Sequence, residues 1–347
     1  MITGVKKTEK EYRAVDMDSS SSLKEFSLDR KKYYKKYVKG EKVEEKDTLA
    51  ATMGKLVETL LMEPDEFENR FYMSACAKTP TGLMLDFVEA LYKFTSEATD
   101  EEGNVIKTFE EISRDAYVES GFKIKYEKVI EKFVGSDAEI YYNEIRKVRS
   151  GGLSVITVDD VTNAEKIVTE LKTNETTSKV VNLVNSGRWE VFNQFQIEGY
   201  QIGSLKMKSM LDKVVIDHDR KTVQIYDLKC VWAVENFYEE YYLYRRAYIQ
   251  AYVYHRAVVS TIEFQDYEVL PPMFIVCDST NYYSPLIYKL NVEDLDDAYN
   301  GFQYKGKTYP GVQEIVKNLE WALENDKWNI SFVNYCNDGI VPLKPKS

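Results

Sequence analysis

The sequence predicts an α/β (α+β) fold, a central mixed β-sheet flanked by helices and preceded by a largely helical N-terminal half. Three observations carry this. Apolar residues before Val184 recur at helical spacing, residues 189–229 alternate as strands do, and an aromatic helical stretch follows them. At 347 residues, with 44% hydrophobic and 30% charged side chains, the chain can build a core without disulfide or metal staples.

In chain order, residues 1–18 read as a polar tail, and the run Ser19–Ser22 as a helix N-cap before Leu23, Phe26 and Leu28. Residues 30–39 are basic and tyrosine-rich. Thr48–Met62 is helical, with Leu49, Met53, Leu56, Leu60 and Leu61 near one face and Pro64 as the stop. Helical spacing returns from about Gly82 to Arg149, interrupted by the acidic loop 99–104. Gly151-Gly152 breaks it, and Val158-Asp159-Asp160 opens a helix to about Thr173.

Three strands are then expected, at Trp189–Ile197, Leu205–Ile216 and Thr222–Lys229, the last two joined by a turn over Asp217-His218-Asp219-Arg220. One long helix is expected over about Glu235–Val259. A buried strand at Met273–Cys277 follows Pro271-Pro272, with another near Leu286–Leu290 and a last helix over about Val312–Asn325. The expected division is a tail (1–18), a mainly helical part (19–185) and a core (186–345).

Composition excludes several chemistries. The formal charge of −11 argues against a protein that coats nucleic acid with a basic surface, yet allows a local basic channel. Two histidines, His218 and His255, cannot make a three-histidine zinc site. Cys76, Cys230, Cys277 and Cys336 lie far apart without a C-x-x-C pair, which disfavours zinc and iron–sulfur sites and suggests reduced thiols. Without an eighteen-residue apolar run or a signal-like N-terminus, the chain reads as intracellular, with no membrane partner.

The chemistry concentrates at Asp212 and at Asp227-Leu228-Lys229. Strand alternation puts Asp227 and Lys229 on one face together with Val223 and Ile225, and Asp212 is expected at the opening of the partner strand. Two carboxylates and an ammonium at the end of an apolar strand are costly unless something binds there. Hard oxygen donors favour Mg²⁺ or Mn²⁺, with Lys229 handling the attacking water and the phosphate. Short acid-x-lysine patterns also occur at Asp29-Arg30-Lys31, Glu44-Glu45-Lys46 and Glu170-Leu171-Lys172, in polar or helical settings where solvated charge is the ordinary reading.

Asp212, fourteen intervening residues and Asp227-Leu228-Lys229 resemble the PD-(D/E)XK nuclease signature, and Gln250-Ala251-Tyr252-Val253-Tyr254 resembles the Q-x-x-x-Y helix of its RecB-like, RecE-like and lambda-exonuclease-like branch. Gln250 and Tyr254 stand four apart, on one helix face, although Tyr254 taken alone also reads as core packing. Ser21-Ser22-Leu23-Lys24-Glu25-Phe26 resembles the serine-containing opening motif of RecE-type domains. The stretch from Gly54 to Leu61 and Glu63-Pro64 resembles their next helix and its exit. That family usually has a metal-assisting histidine four residues after the glycine, where this chain has Glu58; a carboxylate can also bind the ion, and a solvated helix position is the other reading. Leu153–Lys179 and Gly187-Arg188-Trp189-Glu190 resemble the same pattern, with Glu190 the candidate for a glutamate on the first core strand and Glu198 its rival.

The resemblance, which spans roughly residues 19–340, implies a restriction-endonuclease-like core and exonucleolytic digestion of DNA, linear duplex favoured, in phage recombination or repair. It implies catalytic roles for Asp212, Asp227, Lys229, Gln250 and Tyr254, and metal binding by Asp212, Asp227, the Leu228 backbone carbonyl, Glu58 and Glu190. A homo-oligomeric ring, a single-strand annealing recombination partner and a cytoplasmic setting in a bacterial or phage-infected cell would suit it. Candidate DNA contacts are Lys208, Arg245, Arg246, Lys31, Lys32 and Lys35. Lys208 could instead pair with a surface acid, and the basic run could be a solvated helix face whose tyrosines pack inward. The competing readings are an endonuclease of the same superfamily and a nuclease-like fold that only binds DNA or protein.

Overall fold

The computed structural model describes residues 7–41, 48–100, 102–261 and 264–341. The chain divides into two compact units, one of residues 1–44 with 171–347 and one of residues 45–170. In chain order the first unit begins with α1 (Glu9–Ala14), α2 (Ser20–Leu28) and α3 (Arg30–Tyr33). The second unit holds α4 (Leu49–Met62), α5 (Phe67–Arg70), β1 (Phe71–Met73), α6 (Gly82–Glu97), α7 (Phe109–Ser120), α8 (Tyr126–Phe133), α9 (Asp137–Val148), β2 (Ser154–Ile156) and most of α10 (Val158–Thr173). The first unit resumes with α11 (Ser178–Val181), β3 (Trp189–Ile202), β4 (Leu205–Asp217), β5 (Thr222–Val231), α12 (Ala247–Val259), β6 (Glu268–Val269), β7 (Met273–Asp278) and β8 (Leu286–Lys289). It ends with α13 (Val292–Asn300), β9 (Gly301–Tyr304), β10 (Lys307–Pro310), α14 (Val312–Asn325) and α15 (Phe332–Cys336).

The inserted unit is mainly helical, as its spacing predicts. Thr48 caps α4 by accepting from Ala51 N, and Thr108 and Glu111 make a capping box for α7. Phe87, Leu91, Val129, Phe133 and Ile145 fill its core. Glu89 on α6 and Arg149 form a bidentate pair at 2.7 and 2.9 Å. The short parallel pair β1–β2 has three residues per strand, too few to produce an alternation readable in sequence.

The other unit is built on a mixed sheet of order β3-β4-β5-β7-β8, with β6 also pairing β5. β3–β4–β5 are antiparallel, β5–β7 parallel, and β7–β8 antiparallel. The turn at Gly203-Ser204, with Gly203 at φ +61°, joins β3 to β4 in two residues. From β4 to β5 the chain turns over His218–Lys221, where Asp217 Oδ1 accepts from Asp219 N and Arg220 N and so closes an Asx turn. One face of the sheet packs against α2, α12, α13 and α14 around Phe26, Met207, Tyr248, Phe274 and Leu319.

The structure differs from four expectations. Residues 7–18 are an integral part of the core unit: α1 is capped by Thr8, and Asp18 pairs in parallel with Met207 on β4. The division at 185/186 gives way to one unit that draws residues from both sides of the inserted one. The single long helix over Glu235–Val259 is broken: a wide π-type turn over Tyr238–Tyr244 leads to Arg246 at φ +57°, and α12 starts afresh at Ala247. A left-handed residue cannot continue a right-handed helix, so the axis is reset just before Gln250. Asp212 lies in the interior of β4, whereas the sequence places it at the strand's opening.

Candidate functional site

β4 and β5 pair from Asp217–Thr222 to Lys213–Tyr226, and the next positions along are Asp212 and Asp227. The pairing ends where the charges begin. Asp212 Oδ2 instead accepts from the backbone N–H of Leu228 at 2.7 Å, so the carboxylate takes up a ladder donor. Asp227 is 1% exposed and Asp212 9%. Asp227 and Lys229 form an ion pair, and Lys229 Nζ also lies 3.5 Å from the Leu228 carbonyl oxygen.

α12 contributes the next layer. Gln250 Nε2 donates to Asp227 Oδ1 at 2.7 Å and to the Tyr254 hydroxyl at 2.9 Å. Their four-residue spacing puts both on the helix face that meets β5. Burial, followed by the Asp227 and Asp212 charges, pushes the Tyr254 hydroxyl well above its ordinary pKa, so it stays protonated. α2 supplies a residue that the sequence reading passed over. Lys24 Nζ donates to Gln250 Oε1 at 3.2 Å. Burial, and then repulsion from Lys229, bring its pKa down to about 8, with Asp227 opposing the shift. Its only sequence signal is its place in the Ser21–Phe26 stretch. Five predicted residues, Asp212, Asp227, Lys229, Gln250 and Tyr254, thus converge with Lys24.

Glu190 and Glu198 lie elsewhere on the sheet. Glu190 pairs in register with Ile216 and Glu198 with Lys208, four positions to either side of Asp212, or roughly 13 Å along the strand. Glu190 lies 3.5 Å from His218, and Glu198 is ion-paired with Lys7 at 2.5 Å. The position facing Asp212, between the pairs Asn193–Lys213 and Phe195–Leu211, is Gln194, which is buried at φ +51°. The β3–β4 register is unbroken through Gln194 and shifts only further on, between Glu198 and Tyr200. Glu58 is half-buried on α4 in the inserted unit.

Lys208 is corrected as a DNA contact. It is 7% exposed and donates to the carbonyls of Tyr12, Arg13 and Val15 at 2.9, 3.1 and 2.7 Å, so all three ammonium donors close the C-terminal end of α1. Lys32 pairs with Glu25, and Tyr34 and Tyr33 stack on Trp328 at 4.8 and 6.0 Å, which is the inward-packing reading of the basic run. Lys31 and Lys35 are exposed. Arg246 donates to Ser27 Oγ, while Arg245 is exposed with its guanidinium 4.7 Å above the Tyr241 ring.

The acid-x-lysine stretches that begin at Asp29 and Glu170 behave as solvated charge. Asp29 caps α3 through Lys31 N and Lys32 N, Glu170 and Lys172 sit on α10, and Glu44–Lys46 lies outside the described residues. A cavity of about 840 Å³ opens beside the cluster, lined by Tyr12, Asp18, Lys36, Lys206, Met210 and Tyr254 among others.

Among the described residues, no three His, Cys, Asp or Glu side chains gather as a ready metal site. The pair at hand still fits a small hard cation. Asp227 Oδ2 is buried without a well-formed hydrogen bond despite the Lys229 charge beside it, and Mg²⁺ commonly uses one or two carboxylates with water completing its shell. All four cysteines are free, and among the described residues no helix is long and apolar enough to cross a membrane.

No protein-family model matches the chain, and no curated protein does. A crystal structure from Eubacterium rectale, provisionally described as an exonuclease, is similar in fold. The match covers 99% of this chain and 97% of that one, with a TM-score of 0.50 and 13% sequence identity. At that identity the likeness is one of fold.

Proposed function

We propose that this protein is a metal-dependent deoxyribonuclease that hydrolyses the phosphodiester bonds of linear DNA from an end. The observation that carries the reading is the hydrogen-bonded set of Asp227, Gln250 and Tyr254 beside Lys229 and Asp212, with a buried Asp227 oxygen turned to no hydrogen-bond donor of good geometry. The sequence resemblance and the fold of the Eubacterium rectale protein support it.

In this reading Asp212, Asp227 and the Leu228 carbonyl would hold Mg²⁺ or Mn²⁺, which would supply Lewis-acid chemistry at the phosphate. Lys229 places positive charge where the phosphorane develops and orients the water for in-line attack. Water oxygen bonds to phosphorus as the P–O3′ bond breaks; the attacking water gives up a proton to bulk water, and the leaving oxygen takes one from bulk water. Gln250 keeps Asp227 in one rotamer. Tyr254 remains a neutral partner of the Gln250 amide. Exposed Lys31, Lys35 and Arg245 are candidates to meet the DNA backbone. A role in phage recombination, a ring of copies and a strand-annealing partner remain parts of the same proposal.

End-labelled linear duplex and covalently closed circular DNA, each with Mg²⁺ or with EDTA, test it. Expected is Mg²⁺-dependent loss of the linear substrate alone, lowered at least about 10³-fold in folded Asp227→Ala and Lys229→Ala. Cutting of closed circles would assign an endonuclease. Full activity in both variants would remove the site.

A further inference from the structure

The Gln250 side chain has an amide oxygen that neither Asp227 nor Tyr254 engages. Its side-chain amide has two ends of similar shape and opposite hydrogen-bonding character. Two bonds use the NH₂ end, toward Asp227 Oδ1 and the Tyr254 hydroxyl. If the amide flips, its oxygen faces the Asp227 carboxylate, and two acceptors meet in a buried place.

The oxygen end of Gln250 meets Lys24 Nζ at 3.2 Å. An ammonium has donors only, so it donates to the amide oxygen end and offers the NH₂ end no acceptor. We infer that Lys24 is a positioning residue of the proposed nuclease site, setting the orientation of the Gln250 amide and through it the rotamer of Asp227. The placement is specific. Lys24 lies on α2, one turn after the Ser19–Ser22 capping box, and α2 is tied to the head of α12 by the bond from Arg246 to Ser27. A half-buried ammonium next to a second one, Lys229, is an unfavourable arrangement that burial and repulsion register as a depressed pKa. The lysine is still largely charged at neutral pH. Its role rests on the proposed function above, but its effect on Gln250 is a property of the protein without substrate.

The test therefore has two arms. In the first, Lys24→Met, Lys24→Arg, Gln250→Leu and the double variant Lys24→Met/Gln250→Leu are compared on linear duplex DNA with Mg²⁺. Lys24→Met is expected to lower kcat about 10–100-fold with KM within about threefold, and Lys24→Arg to recover most of it, as for groups that orient a metal ligand. Because the two residues act through one amide, the double variant should be no slower than Gln250→Leu alone. Losses that multiply, or a loss carried by KM, would overturn the proposal and put Lys24 on the substrate.

The second arm needs no activity. In protein labelled with ¹⁵N-glutamine, the Gln250 amide pair, assigned by its absence in Gln250→Leu, should shift and exchange faster with water in Lys24→Met. Lys24→Arg should leave it near its original position. An unmoved pair in Lys24→Met refutes the inference even if activity falls. If the protein digests no DNA yet the pair moves, the nuclease reading fails and the positioning role of Lys24 stands.

Discussion

Replacing Lys208 by methionine separates two accounts of that residue. Of its three bonds, the one to the Tyr12 carbonyl is fully buried, while those to Arg13 and Val15 reach part-buried oxygens. Leaving the buried acceptor bare costs about 1–3 kcal/mol, and the other two carbonyls, able to turn to water, roughly 0.5 kcal/mol each. Methionine keeps the apolar stem against Tyr12 and no longer buries a charge. Burial is the main cause of the lysine's lowered pKa, and its relief offsets part of this loss. The net loss is about 2 kcal/mol, a fall in Tm of roughly 4–8 °C for a unit of this size. Calorimetry reads the stability, and DNA binding titrated against salt reads any phosphate contact. An unchanged Tm, with the slope of log affinity against log salt reduced by about one, would refute the capping account and restore Lys208 to the DNA surface.

Two further outcomes are expected. His255 packs against Val269, with its Nε2 3.1 Å from that carbonyl, and burial lowers its pKa. The unfolded chain then binds the proton more readily than the folded one, so His255 contributes nothing above the unfolded pKa of about 6.5 and destabilises increasingly below it. Urea melts from pH 7 to pH 5 should lose stability more steeply in the wild type than in His255→Gln, and parallel curves would contradict this. Gly311 caps α14 where a Cβ would lie 2.2 Å from the Tyr299 carbonyl oxygen and 2.3 Å from Gly301 N, both backbone atoms. Gly311→Ala should destabilise by about 2–4 kcal/mol, and a midpoint within error of the wild type would show that the hairpin before α14 yields freely.

The sheet was legible because β4 and β5 carry long β-branched runs, so Val214, Val215, Ile216, Val223 and Ile225 announced both strands and the turn between them. Helices α4, α10 and α14 were legible to within a residue or so, from caps and breakers at Thr48, Pro64 and Val158. Three features escaped for identifiable reasons. The break at Arg246 depends on a left-handed residue that is not glycine, and its neighbours all suit a helix. Gln194 faces Asp212 in unbroken register, but its left-handed backbone (φ +51°) at a residue other than glycine leaves no mark in the sequence. Lys24 stands in a polar helix opening, where a lysine reads as solvated until α12 is placed against it. The core carboxylates were local in sequence, whereas their partners were brought in by tertiary structure.

The interrupted build of the core unit has a consequence for the order in which the protein is made. Lys24 and Gln250 are 226 residues apart, and a ribosome adding about 5–20 residues per second leaves roughly 11–45 s between them. During that interval the whole 45–170 unit emerges, with helices α6 to α9 packing among close neighbours, while α2 waits for the helix it will meet. A nascent chain released between Lys229 and Ala247 would carry Asp212, Asp227 and Lys229 but neither Gln250 nor Tyr254. The cluster is therefore assembled only after α12 has been made, and a copy that stops short of it is an unfinished site.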